Sequence, residues 1–515
     1  MLRKIRITIS ILVISLISFF IVDFAGLLPM QLHFLEEIQL IPALLALNWI
    51  VIISLVVLTF IFGRIYCSSV CPLGIWMDIS SRIRKWTSSK KKKKKFKYTK
   101  ALNLWRYGFL ALTLIAFLSG FSLLVGLLDP YSAFSRIVVH VFKPAYLAGH
   151  NLFEWIFSRF GNHEFLPVGI YVMSISSLVI ALFTLVLVSV MAWRNGRIYC
   201  NTVCPVGTTL GLISKYSILQ IKFTPSNCTS CGKCARVCKA SCIDVKKMKV
   251  DADRCINCYN CTEVCGDNAL HYQPVWKKQA FDQAQSSENK KVSKKPNSRR
   301  KFLQTAGMTV LATGTLLADR KLGPVTSTLE HKRKPVLPPG ALNFDKFSQQ
   351  CTSCHLCITK CPTQVIRPAY YEYGLSGMMQ PLMDFKTQYC DYTCTMCTDV
   401  CPTDALSPLT EEIKKKTQIG LVQLQLSDCV VQKHNKHCTA CSDICPTAAV
   451  VAMPYQDALF IPEIDPAICV GCGACESVCP AKPLKAIWVD GLNHHQIIAL
   501  KPKKVETVPE EDFGF

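Results

Sequence analysis

Acidic residues are scarce in this chain: 35 Asp and Glu stand against 58 Lys and Arg, a formal charge of +23 over 515 residues. Such an excess ordinarily raises nucleic acid as a partner. Here much of it flanks long apolar runs, where basic residues set membrane topology, so no nucleic-acid partner is expected. Nucleotide chemistry is equally poorly provided for. There is no P-loop, no GxGxxG after a strand and no flavin-attachment threonine motif, which leaves no sequence basis for a phosphate cradle or a flavin site. Small residues are also missing from the end of the first apolar run, 7–22, so it reads as a retained span and not as a cleaved signal.

Apolar sequence and cysteine are what the chain has instead. Runs at 7–22, 41–62, 108–128 and 166–192 are expected to be four membrane spans, on a rise of ~1.5 Å per residue and a ~30 Å hydrocarbon core. Arg64, Arg82, Arg84, Lys85, the lysines of 90–95, Lys97 and Lys100 all fall between the second and third. The positive-inside rule makes that loop cytoplasmic, and with it the N-terminus and everything after the fourth span.

An internal repeat supports this layout. Residues 63–67 and 196–200 both read GRIYC, and each continues to Val-Cys-Pro-x-Gly, through Cys71, Pro72 and Gly74 and then Cys204, Pro205 and Gly207, at a constant offset of 133. A duplicated hairpin with pseudo-twofold symmetry is the expected result. Its two cysteine pairs, Cys67 with Cys71 and Cys200 with Cys204, could converge on an extra iron–sulfur centre, serve as a dithiol, or be inert thiols in similar turns.

Twenty-four of the 29 cysteines fall into six sets of four. Cys228, Cys231, Cys234 and Cys238 are followed by Cys255, Cys258, Cys261 and Cys265, two CxxCxxCxxxC runs with the spacing of a bacterial two-cluster ferredoxin. In that arrangement the fourth cysteine of each run serves the other cluster. Cys228, Cys231 and Cys234 are then expected with Cys265, and Cys255, Cys258 and Cys261 with Cys238. A zinc ribbon uses two pairs and not three cysteines at equal intervals. Lys239 and Gly266 occupy the usual proline positions, and Cys242 is surplus, a substitute for Cys238 if the regular spacing fails.

The other four sets are Cys351, Cys354, Cys357, Cys361; Cys390, Cys394, Cys397, Cys401; Cys429, Cys438, Cys441, Cys445; and Cys469, Cys472, Cys475, Cys479, each ending in Cys-Pro. The middle two have a longer first gap, which keeps three ligands plus a remote fourth and bulges the loop. His355 completes a CxxCH haem-attachment pattern, but Cys357, Cys361 and Pro362 complete a ferredoxin run around it. Six [4Fe-4S] clusters are therefore expected, and little chain is left for a substrate pocket.

Between the two cysteine-rich halves lies a Gln-, Ser-, Asn- and Lys-rich linker, then Arg299 and Arg300 before a weakly apolar run to residue 318. A twin-arginine pair addresses folded proteins for export, the one route by which clusters inserted in the reducing cytoplasm leave it assembled. Without small residues for cleavage, this stretch is expected to be a fifth span, with the last four sets outside. The fold class is then an α-helical membrane domain with two α+β ferredoxin-like polyferredoxin domains. The expected layout is 1–222 membrane domain, 223–272 cytoplasmic two-cluster ferredoxin, 273–342 linker with the signal-anchor, 343–500 periplasmic four-cluster ferredoxin and 501–515 tail.

The first 272 residues, with two GRIYCxxVCPxG motifs and a two-cluster tail, resemble NapH, the membrane subunit of periplasmic nitrate reductase systems. Residues 298 to about 490 resemble NapG, its exported four-cluster partner, including the eight-residue gap before Cys438 and the GLVQLQLSDC run. The resemblance implies a fusion of the two in the bacterial inner membrane. It implies an electron-transfer component of a quinol dehydrogenase that oxidises menaquinol and feeds a periplasmic c-type cytochrome or terminal reductase. Similar pairs serve nitrous oxide reductase, so a maturation or assembly role for such a metalloenzyme, or a docking scaffold, are the other readings. His140, His150 and His163, in the outer loop between spans three and four, are candidate acceptors of quinol protons.

Overall fold

A computed structural model describes residues 1–23, 26–87, 96–160, 167–169, 174–276 and 334–499. The twin-arginine stretch, His163 and the 501–515 tail lie outside the described residues.

Two described helices are long and apolar enough to cross a membrane, Leu2–Val22 and Ile175–Asn195. A third crossing is available if Ser122–Leu128 and Pro130–Arg159, bent by 77°, form one span. The four-span expectation is thus only partly met. The run at 41–62 divides because Leu47 takes φ 54° and Asn48 caps a new helix, accepting from the Val51 amide at 3.3 Å. That new helix, Trp49–Phe62, has 14 residues. The run at 108–128 divides at Gly120, φ 75°, into Asn103–Leu118 and Ser122–Leu128. Large apolar side chains stay exposed along these helices, Ile50 at 80%, Phe183 at 67% and Val186 at 59%. A face of that kind needs lipid to cover it, and the chain is membrane-associated.

The stretch after the first GRIYC is more than a loop. Pro72 opens a helix, Pro72–Thr87, that packs on Ile175–Asn195 through Trp76, whose indole donates to Ser189 Oγ at 3.1 Å.

The cysteine-rich parts are small hairpins around short helical turns. In the first, Leu219–Phe223 pairs antiparallel with Leu270–Pro274, and Ile243–Asp244 with Lys249–Val250. In the second, Ile366–Pro368 pairs with Pro381–Met383, Thr417–Leu424 with Ile487–Ile497, and Val450–Pro454 with Phe460–Ile464. These are short ferredoxin-like sheets.

The two blocks meet opposite ends of the first helix. Arg3 pairs with Glu263 of the first block at one end. At the other, Lys360 Nζ of the second block donates to the Asp23 carbonyl at 3.1 Å. Twenty-one residues of helix place these contacts about 30 Å apart. One packed core nevertheless runs through, from Cys258 and Cys261 by way of Cys67, Cys200, Tyr66 and Tyr199 to Leu356 and Val400.

Candidate redox centres and their connections

The first CxxC loop of each regular run carries a left-handed residue at its third position: Ser230, Asn257, Ser353 and Gly471, with φ between 47° and 71°. A left-handed residue turns successive amides toward one point, which suits an anionic centre. The irregular runs solve the same problem differently. In the Cys390–Cys394 gap, Asp391 Oδ1 accepts from the amides of Thr393 and Cys394 at 2.8 and 3.1 Å. The eight residues between Cys429 and Cys438 accommodate a helical turn, Val430–His434, ended by Asn435 at φ 48°.

Cysteines from neighbouring runs are brought together. A cavity in the second block is lined by Cys351, Cys354, Cys357 and Cys401, so the fourth thiol belongs to the following run. Cys361 faces Cys390, Cys394 and Cys397 in return. A second cavity is lined by Cys429, Cys438, Cys441 and Cys479, and Cys445 faces Cys469, Cys472 and Cys475. In the first block Cys238 faces Cys255, Cys258 and Cys261, as the ferredoxin spacing leads one to expect. Cys242 is buried too, its Sγ 3.6 Å from that of Cys238, and that contact helps hold the Cys238 thiol down to about 7.

These sets fit iron–sulfur cubanes chemically. Among the described residues no three His, Cys, Asp or Glu side chains close on a single ion, whereas a cubane holds its thiolates apart. Burial pushes the Cys351, Cys441 and Cys472 thiols up to about 12, so bare they are neutral, and a metal is what deprotonates them.

The membrane repeat builds a second kind of site. Cys67, Cys71, Cys200 and Cys204 are each 4–6% exposed. Arg64 and Arg197 cross between the repeats. Arg64 Nη2 donates to the Cys200 carbonyl at 3.2 Å and Arg197 Nη1 to the Cys67 carbonyl at 2.7 Å. Gly74 and Gly207 make room, since a Cβ would stand 2.4 Å from Arg197 Nη1 and 2.8 Å from Arg64 Nη2. Gly63 and Gly196, at φ 73° and 68°, press on Asn257 and the Lys239 carbonyl of the first block. The GRIYC motif therefore fixes the ferredoxin as well as the cysteines.

Sequence reasoning missed the charges that tie this end together. Asp78 is buried, with Arg6 Nη1 at 3.0 Å, Arg197 Nε at 2.9 Å and Lys239 Nζ at 3.1 Å. Lys239 was visible as a departure from proline; it supplies the third cation, and its carbonyl accepts from the Arg197 amide at 2.8 Å. The duplicated arginine of GRIYC was a signal of the same kind.

The other end of the membrane unit carries the loop of Thr352 to His355. Ser132 Oγ, whose own proton goes to Asp129, accepts from Thr352 Oγ1 at 2.9 Å, while Ser135 Oγ donates to the Cys354 carbonyl at 2.8 Å and Arg136 Nη1 to the Ser353 carbonyl at 3.0 Å. His140 Nε2 lies 2.6 Å from His355 Nδ1, and His355 Nε2 lies 2.9 Å from the Met379 carbonyl, so both His355 nitrogens are engaged. Of the two described candidate histidines, His140 joins this contact, and His150 is half-buried on the helix Lys143–Arg159.

Comparisons with known proteins agree with cluster chemistry. A 4Fe-4S binding domain matches residues 44–94 and again 176–225, the two membrane repeats. Models of 4Fe-4S dicluster domains match 251–365, 350–406 and 436–482. The first of these joins runs that the structure places at opposite ends of the membrane unit, so it follows cysteine spacing and not a folded pair. The methylamine utilization ferredoxin-type protein MauM of Methylobacillus flagellatus is 30% identical over 211 residues, 38% of this chain and 85% of the relative. The ferredoxin-type protein NapG of Escherichia coli is 29% identical over 202 residues, 36% of this chain and 83% of NapG. NapF of the same organism is 26% identical over 167 residues, 32% of this chain and 93% of NapF. No solved structure matches the chain.

Proposed function

The chain belongs to the family of Nap- and Mau-type ferredoxin-type iron–sulfur proteins, and from that premise we propose that it draws electrons from a quinol, menaquinol by its likeness to NapH, and delivers them to a periplasmic acceptor. Electron transfer by iron–sulfur centres is the family's common ground. Six [4Fe-4S] clusters are held by the 24 cysteines, with fourth ligands exchanged between neighbouring runs. The first block faces the cytoplasm and the second the periplasm, where a c-type cytochrome or terminal reductase such as nitrate reductase takes the electrons.

The observation that carries this reading is the seat of the second block. Its loop from Thr352 to His355, beside Cys351 and Cys354, rests on buried polar groups of the membrane unit, Ser132, Ser135, Arg136 and His140. A quinol oxidised in the membrane unit would lie next to the first exported centre; because His140 Nε2 already donates to His355 Nδ1, a quinol proton would have to go to His140 Nδ1. The bound clusters supply one-electron capacity. The protein's part is to hold their thiolates and to keep water from them.

The test is to add a menaquinol analogue to anaerobic membranes holding the full chain and record the electron paramagnetic resonance of the clusters. Reduced-cluster signals are expected within the mixing experiment. Clusters that stay oxidised while dithionite reduces them would count against quinol oxidation and leave the maturation reading standing.

A further inference from the structure

The membrane site holds an unbalanced buried charge. Four cations, Arg6, Arg64, Arg197 and Lys239, are at most 4% exposed, and one buried carboxylate, Asp78, serves three of them. Arg64 is fully buried and has no carboxylate partner among the described residues. Its bonds go to Asn201 Oδ1 at 2.7 Å, to the Asp253 and Cys200 carbonyls at 3.0 and 3.2 Å, and to Cys67 Sγ at 3.8 Å. Arg197 likewise meets Cys200 Sγ at 3.9 Å. Burying a guanidinium without an anion costs several kcal/mol, so the anion is missing from the protein's own ionised groups. Cys71 and Cys204 each have Cys67 and Cys200 as electrostatic neighbours, and four thiolates held by iron would supply it.

The site also stands between the two ferredoxin blocks. On one side Arg64 and Arg197 bond the backbone at Asp253 and Lys239, next to Cys255 and Cys238. On the other, the tyrosines of the two GRIYC motifs point away: Tyr66 OH donates to Gln39 Oε1 at 2.7 Å, and Tyr199 OH reaches the Leu128 carbonyl at 3.5 Å. Asp129 follows Leu128 and accepts from Ser132 Oγ at 2.6 Å, and Ser132 meets Thr352 beside Cys351. Both blocks and the four cysteines share one packed core.

Resting on the cluster reading above, we infer that Cys67, Cys71, Cys200 and Cys204 bind an intramembrane iron–sulfur centre that relays electrons between the first ferredoxin pair and the cluster at Cys351, Cys354, Cys357 and Cys401. One electron leaves a reduced centre of the first pair, reduces the intramembrane centre by one, and passes on to the oxidised outer cluster; no bond is made or broken. Arg64 and Arg197 are positioning residues that balance its charge, and Tyr66 and Tyr199 fill the way outward. The chain is then a wire through the membrane as well as a quinol-fed one, with a second entry for electrons from a reduced cytoplasmic donor.

The experiment uses the full, cluster-loaded chain in quinone-free vesicles with the first ferredoxin pair facing out, and dithionite, which does not cross the bilayer, as reductant. Every cluster is expected to bleach. In Cys67→Ser/Cys200→Ser only the first pair is expected to bleach, with about four fewer irons per chain for a cubane or about two for a [2Fe-2S] centre. Unchanged iron and full bleaching in that variant overturn the proposal, as does wild-type protein in which only the first pair bleaches. Should the double variant not assemble, Arg64→Gln decides: iron content unchanged with a shifted spectrum and potential supports the centre, and an unmoved spectrum sinks it. Because no quinone is present, this outcome is separate from that of the menaquinol test.

Discussion

Arg64 and Arg197 occupy equivalent places in the two membrane repeats, and each bonds the cysteine carbonyl of the other repeat, at Cys200 and at Cys67. A guanidinium reaching across a pseudo-twofold axis locks two hairpins that no backbone ladder joins among the described residues. The pairs Cys67 with Cys71 and Cys200 with Cys204 are held together by this exchange.

Asp78 is the shared counter-charge of that lock, facing Arg6, Arg197 and Lys239. Asp78→Asn strands three buried cations and is expected to cost about 3–5 kcal/mol, the usual range for breaking a buried ion pair. Thermal unfolding in detergent measures it. A midpoint equal to that of the unsubstituted chain would show that the cations find other compensation.

Gly207→Ala and Gly74→Ala separate packing from helix propensity. Both glycines lie in helices, where alanine is ordinarily better by about 0.5–1 kcal/mol. Here a Cβ at Gly207 would stand 2.1 Å from the Cys200 carbonyl oxygen, and one at Gly74 2.6 Å from that of Cys67. Both variants are expected to lose about 1–3 kcal/mol. Gly108→Ala and Gly149→Ala, where the added methyl meets nothing within 4 Å, are expected to be neutral or mildly stabilising.

Exchange of the fourth thiol between runs is countable by iron analysis. Cys351→Ser and Cys401→Ser line one cavity, so the double variant is expected to lose about four irons, no more than either single one. Cys351→Ser with Cys361→Ser touches two sets and is expected to lose about eight. The reverse pattern means that each run serves its own cluster.

His495 gives the second block a pH dependence. Burial pulls its imidazole down to about 4, and neither ring nitrogen has a hydrogen-bond partner among the described residues. Between about pH 4 and the ordinary value near 6.5 the unfolded chain holds a proton there that the folded chain lacks. Stability of this block is therefore expected to rise with pH through that window and be fully present above it. His495→Leu should flatten the slope in unfolding curves taken from pH 4 to 7.

Cysteine spacing alone determined the chemistry of this protein: equal gaps of two, two and three residues leave room for little but clusters, and the 133-residue repeat announced a paired membrane site. The approach of Cys238 to Cys255, Cys258 and Cys261 was legible too, because the short linker between the first two runs makes it local. Hydropathy was less decisive. It counts apolar residues but not the turns at Leu47 and Gly120 that cut two long runs into shorter helices. Only the tertiary structure decided which distant groups meet: Arg64 with Cys200, Lys239 with Asp78, His140 with His355. Charge compensation in a buried site is a matter of distance, and neither an arginine in a motif nor a lysine in place of proline states its partner until the chain has folded around it.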